Sequence, residues 1–257
     1  MRALPLALLA LTGFTSSSLA SLVVTYAEDA NQINSTLSGT SVFTFDSLAA
    51  DQKYTNLTWN GVGTFDSVYV KSADYYGGAV SDGFSNGSPY SVQSSGIGGG
   101  DAVPQTTITL SSDHAYFGMW WSAGDANNIL RFYSDETLVA EFTTDSLLNK
   151  LASDPAYKGN PRDRGLNAGE PYAFINFFGA EGTTWNRIVL TNEGGSGFES
   201  DNYTDRATPW SYDLDGPMPG IVLVTLTDNS VQAVPEPSCA LLGGLGMAAL
   251  LLRRRRN

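Results

Sequence analysis

The chain has 257 residues, enough for one large β domain or two small ones. It carries 14 basic against 26 acidic residues, a net charge of −12, which excludes nucleic acid as a partner because like charges repel. Its only cysteine, Cys239, cannot form an internal disulfide, so the stability of the fold must come from a core.

Residues 1–20 are predicted to be a secretory signal peptide. Arg2 supplies a positive start, an apolar run follows, and Ser18 and Ala20 are the small residues of a cleavage site. The alternative, an uncleaved anchor, would need a longer apolar run to span a bilayer. We therefore expect an exported ectodomain of residues 21–228 that begins at Ser21.

The ectodomain alternates short runs rich in Val, Ile, Thr, Tyr and Phe with turns of Gly, Asn, Asp and Ser. This pattern is typical of an all-β sandwich or barrel. The tightest turn, residues 134–136, predicts a hairpin. The predicted strands are 41–45, 57–59, 67–70, 106–110, 115–121, 129–134, 137–142, 173–178, 187–191 and an edge strand at 221–227.

One short helix is predicted after Thr144, which can cap it, with Leu147, Leu148 and Leu151 on one face. Pro155 marks its end. Two glycine-rich or proline-rich stretches, residues 77–100 and 154–171, are predicted to be long loops, and such loops are where binding sites usually lie.

The C-terminal segment, residues 229–257, is predicted to be a stalk and a membrane-sorting tail. A 14-residue apolar stretch ends at Leu252 and is followed by Arg253, Arg254, Arg255 and Arg256, which should stay on the cytoplasmic side. The stretch is short for a transmembrane helix. A core helix is the alternative, but the stretch has no polar face.

Pro235, Glu236 and Pro237, followed by this apolar stretch and the terminal arginines, resemble the PEP-CTERM sorting signal. The resemblance implies a membrane-anchored precursor, recognition by the membrane enzyme exosortase, and a final place at the cell surface or in the extracellular matrix. It implies a localisation and no biochemical activity. Without residues 1–20 and 235–257, the chain keeps 9 basic and 25 acidic residues, a net charge of −16.

A second resemblance covers residues 43–204. The runs 116–133, 169–177, 187–190 and 197–202 resemble a domain shared by exosortase-dependent surface proteins. That resemblance implies a jelly-roll-like antiparallel β-sandwich of the lectin or carbohydrate-binding type. It assigns no catalytic role.

Glu199, Asp201 and Asn202 form the candidate metal site, since calcium prefers carboxylate and amide oxygens. The same two carboxylates motivate an alternative, a glycoside hydrolase, because alternate residues of a strand share a face. Laminarinase-like sandwiches carry a third acid two residues later, where this chain has Tyr203. A turn that bonds its own backbone is the simplest alternative. No cofactor is required by the sequence.

Tyr75, Tyr76 and Trp121 are the candidate ligand-binding residues, because exposed aromatic rings give flat platforms for sugars. Tyr75 and Tyr76 stand beside two glycines in the first long loop. Trp120 and Trp121 alternate faces in a strand, and core packing is the favoured interpretation for both.

The single histidine, His114, follows Ser111, Ser112 and Asp113. A Ser-His-Asp site is not excluded by this spacing, because triads are assembled in space. No Gly-x-Ser-x-Gly elbow accompanies it, so we predict an exposed histidine in a turn.

The sequence thus predicts a non-enzymatic surface or matrix protein that binds extracellular polysaccharide. A carbohydrate-active enzyme and a self-associating coat protein are the alternatives.

Overall fold

The computed structural model describes residues 21–79, 87–161, 166–180, 182–194 and 196–227. The predicted signal peptide, stalk and sorting tail lie outside these residues, and their assignments stay predictions. Within the described ranges, no helix has the length and apolarity needed to cross a membrane.

Thirteen strands and two short α-helices form the described part of the chain, and every strand pair is antiparallel. The predicted all-β antiparallel class is confirmed. The elements are β1 (Ser21–Tyr26), β2 (Ser41–Phe43), β3 (Gln52–Trp59), β4 (Gly63–Lys71), β5 (Tyr90–Gln93), β6 (Gln105–His114), β7 (Tyr116–Ser122), β8 (Asn128–Ser134), β9 (Thr137–Thr143), α1 (Asp145–Leu151), β10 (Ala173–Ala180), β11 (Trp185–Asn192), β12 (Phe198–Arg206), α2 (Tyr212–Asp215) and β13 (Ile221–Thr227).

The strands belong to one hydrogen-bonded sheet that folds over on itself. Its order is β13-β1-β10-β7-β12-β5-β4-β6-β11-β8-β9, with β2 paired to β12 and β3 paired to β4. Strand β9, at one end, lies against β1 near the other end. The sheet is therefore a nearly closed sandwich, and β13 is an edge strand as predicted.

The core lies inside the folded sheet and is largely aromatic. Phe117, Met119 and Trp121 of β7 point into it, as the period of two along a strand requires. Trp120 points to the opposite face of the sheet. It is also fully buried, because Tyr172 and other residues outside the strands, such as Ala79, pack against it. Strand β7 is thus buried on both faces, and each such large apolar side chain contributes about 1.5–3 kcal/mol to stability.

The first predicted long loop is partly wrong, because β5 lies inside it. All four residues of β5 are buried between β4 and β12. Two of them are polar, and the Gln93 Nε2 group donates to Ser91 Oγ at 2.7 Å and to Thr106 Oγ1 at 3.0 Å. The alternation of β5 covers only four residues and is flanked by Gly, Ser and Pro, so the surrounding sequence favours a loop.

The predicted helix is confirmed as α1, with Leu147 and Leu151 buried, but the predicted cap is wrong. The Thr144 hydroxyl accepts no bond from the first turn and instead donates to the carbonyl oxygen of Asp125, with the Asn128 carbonyl oxygen farther away at 3.3 Å. The hairpin turn between β8 and β9 is also confirmed, with Asp135 at φ 52°. Helix α2 was not predicted.

Candidate functional site

Tyr75 and Tyr76, here called the tyrosine ledge, stand on the loop that leaves β4. Asp74 organises this loop: its Oδ1 accepts hydrogen bonds from the backbone N–H groups of Tyr76 (2.9 Å) and Gly77 (3.2 Å) and from the Tyr90 hydroxyl (3.0 Å). Asp74 also pairs with Lys71, the last residue of β4. The aspartate thus folds the loop into a turn that its own side chain closes.

Gly77 allows this turn to lie directly on β5. A Cβ atom at Gly77 would be 2.5 Å from the ring of Tyr90, which is fully buried. Only glycine permits so close an approach of backbone to ring. The ledge is therefore anchored to the sheet.

The tyrosine ledge is exposed and borders a cavity. Tyr75 is 59% exposed and Tyr76 is 49% exposed, although large apolar residues of this size are normally covered. An open cavity of about 310 Å³ is lined by both tyrosines with Leu166 and Asn167. This volume is at the lower end of small-ligand sites.

Tyr172 connects the tyrosine ledge to the buried part of the domain. Its hydroxyl donates to the carbonyl oxygen of Tyr75 at 3.1 Å and accepts from Asn167 Nδ2 at 2.8 Å. Its ring lies against buried Trp120, with centroids 5.7 Å apart. The loop that carries Asn167 is thereby tied to the loop that carries the ledge, and both rest on β7 and β10.

The carboxyls of Glu170 and Glu199 both affect the pKa of Tyr172. Burial first, and then the negative charges of Glu170 and Glu199, raise the pKa of Tyr172. Glu199 itself is only 5% exposed. Burial, with smaller contributions from Asp125 and Glu170, raises its pKa to about 8, so this carboxyl is mostly protonated at neutral pH.

Asp201 has a different environment from Glu199, although only one residue separates them on β12. Its Oδ2 accepts from the Ala79 N–H and the Ser88 hydroxyl, both at 3.1 Å, and its Oδ1 accepts from the Asn202 N–H at 2.8 Å. Complete burial raises its pKa well above the usual value despite these bonds. Asp201 therefore ties the far end of the ledge loop, at Ala79, to β12.

The predicted calcium ligands Asp201 and Asn202 are hydrogen-bonded to protein groups. Asn202 occupies an irregular position of β12, with φ 51°, and its Nδ2 donates to the Ile33 carbonyl oxygen at 2.9 Å. Within the described ranges, no group of three or more His, Cys, Asp or Glu side chains could hold a metal ion. Calcium binding by Glu199, Asp201 and Asn202 stays a prediction of the sequence.

Two predictions about aromatic and histidine residues are corrected. Trp121 has no exposed surface and packs in the main core, because its strand turns that face inward, so it offers no platform to a ligand. His114 is not exposed in a turn: it is the last residue of β6 and only 4% exposed. Its ring instead bonds Asp205 of β12.

Sequence reasoning missed the residues that support the ledge, above all Tyr172 and Asn167. The sequence did predict that residues 154–171 form a long loop of the kind that carries binding sites. It did not indicate which residue in that loop takes part. The contact between two loops far apart in the chain is not visible in local sequence.

No family model and no curated protein matches the chain. Among solved structures, it is similar to the catalytic domain of a GH87 alpha-1,3-glucanase, solved as a variant in complex with tetrasaccharides. The identity is 16% and the TM-score 0.29, over 74% of this chain and 28% of that one. The chain thus spans less than a third of that protein, and so low a TM-score supports no argument about fold or activity.

Proposed function

We propose that this protein is an exported surface or matrix protein whose tyrosine ledge, on a jelly-roll-like sandwich, binds extracellular polysaccharide without cleaving it. The observation that carries the proposal is the pair of adjacent exposed tyrosines on an anchored loop beside a 310 Å³ cavity. Aromatic faces stack on the apolar faces of sugar rings. Asn167 on the cavity wall donates both Nδ2 hydrogens within the protein, and its Oδ1 is the atom that would accept a hydrogen bond from a sugar hydroxyl.

The net charge of the domain indicates which class of polysaccharide it can bind. The region between the predicted signal peptide and sorting motif carries a net charge of −16, and Glu170 accepts a hydrogen bond from Asn167 on the cavity wall. An acidic polysaccharide would be repelled over roughly 10 Å at physiological salt. Neutral glycans are therefore the proposed ligands.

A glycan array probed with the full-length chain, with and without calcium, tests this proposal. We expect retention of neutral glycans by the wild type and about 5- to 150-fold weaker binding by Tyr75→Ala/Tyr76→Ala, because each lost stacking contact costs about 0.5–1.5 kcal/mol. Tyr212→Ala is the matched control, since Tyr212 is 68% exposed on α2. Failure of the wild type to retain any glycan in either condition removes the binding proposal and leaves the coat role.

The proposed localisation is independent of glycan binding and rests on the sequence. Pro235, Glu236, Pro237 and the four terminal arginines support sorting by an exosortase from a membrane-anchored precursor. In a host that has an exosortase, deletion of residues 235–257 should move the protein from the cell envelope to the medium. Fractionation with an antibody to the ectodomain measures this. Unchanged envelope retention of the truncated chain would contradict the sorting role.

The glycoside hydrolase alternative is not favoured by the position of its two carboxyls. Asp201 has no exposed surface, and its oxygens already accept three hydrogen bonds from the protein. A sugar could not reach it without breaking the attachment of the ledge loop.

A further inference from the structure

Strand β6 departs from its ladder with β11 just before His114. Thr109 pairs with Arg187, but the next pair joins His114 to Trp185, so residues 110–113 lie opposite Asn186 alone. Such a bulge re-aims side chains, and bulges are over-represented next to active sites. Here it leaves Ser112 exposed at the surface, while His114 turns inward.

A hydrogen-bonded chain of three side chains crosses this bulge. Ser112 Oγ lies 3.1 Å from His114 Nε2, and His114 Nδ1 is bonded to Asp205 Oδ2. Asp205 is almost fully buried on β12. If Nδ1 carries the proton that Asp205 accepts, the Nε2 lone pair faces the Ser112 hydroxyl. This is the order of roles in a serine hydrolase: an exposed hydroxyl, an imidazole and a buried carboxylate.

An open cavity lies where such a hydroxyl would meet its substrate. It measures about 400 Å³, and its wall includes Ser112, Leu110, Asn186, Arg187, Asp135 and Glu136. Arg187 is the positively charged residue of this wall, and it bonds the Asp135 carbonyl oxygen (2.9 Å) and Glu136 (3.2 Å). A cation beside the reacting centre stabilises the negative oxygen that forms when a carbonyl is attacked.

We propose that Ser112, His114 and Asp205 form a second functional site that hydrolyses small, uncharged carboxylic esters. The Ser112 Oγ attacks the ester carbonyl carbon while its proton passes to His114 Nε2. The intermediate then expels the alcohol, which takes that proton, and leaves an acyl group on Ser112. Water, deprotonated by His114, attacks this acyl group and releases the carboxylic acid and free Ser112.

Asp205 acts as a positioning residue, and the acidic wall sets the substrate class. Asp205 holds the imidazole in the required tautomer and stabilises its protonated form. Asp135 and Glu136 disfavour an anionic ester and favour departure of the carboxylate product. The site differs from the tyrosine ledge in position and in residues, so either proposal can fail alone.

The first test is covalent labelling of the full-length chain with a fluorophosphonate, followed by mass spectrometry of the labelled peptide. We expect one label per chain on Ser112, none there in Ser112→Ala, and full labelling in Ser111→Ala. Ser111 is an equally exposed neighbour in the same cavity, so it controls for local disturbance. No label on wild-type Ser112 would overturn the proposal.

The second test is turnover of p-nitrophenyl acetate. Ser112→Ala should lower kcat/KM at least about 100-fold and leave the melting temperature unchanged, because Ser112 is exposed. Asp205→Asn should lower kcat with little change in KM. A merely structural role would instead lower the melting temperature and leave kcat/KM unchanged. Equal turnover by wild type and Ser112→Ala would overturn the proposal, whatever the behaviour of Asp205→Asn.

Discussion

The wild-type protein should lose stability as the pH rises from 5 to 9, and Glu199→Gln should remove much of that loss. Burial raises the pKa of Glu199 from 4.5 to about 8. A carboxyl whose pKa is raised by folding stabilises the fold fully below its unfolded pKa and loses that contribution as the pH rises through the folded pKa. The loss amounts to about 3–5 kcal/mol, at roughly 1.4 kcal/mol for each unit of pKa.

Denaturant unfolding at several pH values between 5 and 9 measures this effect. Glu28→Gln is the control, since Glu28 is exposed on the loop after β1 and its substitution should preserve the wild-type slope. Asp201, whose pKa burial also raises, should leave a residual slope of the same sign in Glu199→Gln. A wild-type free energy of unfolding that rises over this range, or an unchanged slope in Glu199→Gln, would contradict the account.

Trp121→Ala should destabilise the fold by about 3–5 kcal/mol, since it empties a fully buried indole position in the main core. For a domain of this size that corresponds to a melting temperature lower by about 10 °C. Tyr75→Ala should change the free energy of unfolding by less than about 0.5 kcal/mol, because exposed substitutions rarely cost more.

The two variants separate the core from the ligand-binding surface. Thermal melting gives the stability of each, and glycan binding is measured well below the melting temperature of the weaker one. Trp121→Ala should bind as the wild type does, whereas Tyr75→Ala should not. A stable Trp121→Ala that has lost glycan binding would restore Trp121 as a ligand-binding residue and contradict the placement of its ring.

The fold class could be predicted from the sequence because most strands are short runs rich in β-branched and aromatic residues, bounded by turn residues. Strands β8, β9 and β13 were located within one residue at each end for this reason. Strands β5 and β12 could not be found in this way. Polar residues such as Ser91, Gln93 and Asp201 occupy fully buried positions there, and partners distant in the chain satisfy them.

The candidate site was predictable only in its exposed part. Tyr75 and Tyr76 lie next to glycines in a loop, and that local pattern was enough. The burial of Glu199 was not visible, because it depends on Gly197, which lacks the Cβ that would stand 2.3 Å from the Glu199 carboxyl. The pairing of His114 with Asp205, 91 residues away, likewise depends on the order of strands in the sheet.

Equilibrium binding of one neutral oligosaccharide to the full-length chain tests the central claim most directly. Titration calorimetry should give the same Kd for wild type and Tyr212→Ala, and a Kd about two- to twelvefold higher for Tyr75→Ala, because one stacking contact with the glycan is lost. An identical Kd for Tyr75→Ala, Tyr76→Ala and wild type would contradict the claim that the ledge is the binding site.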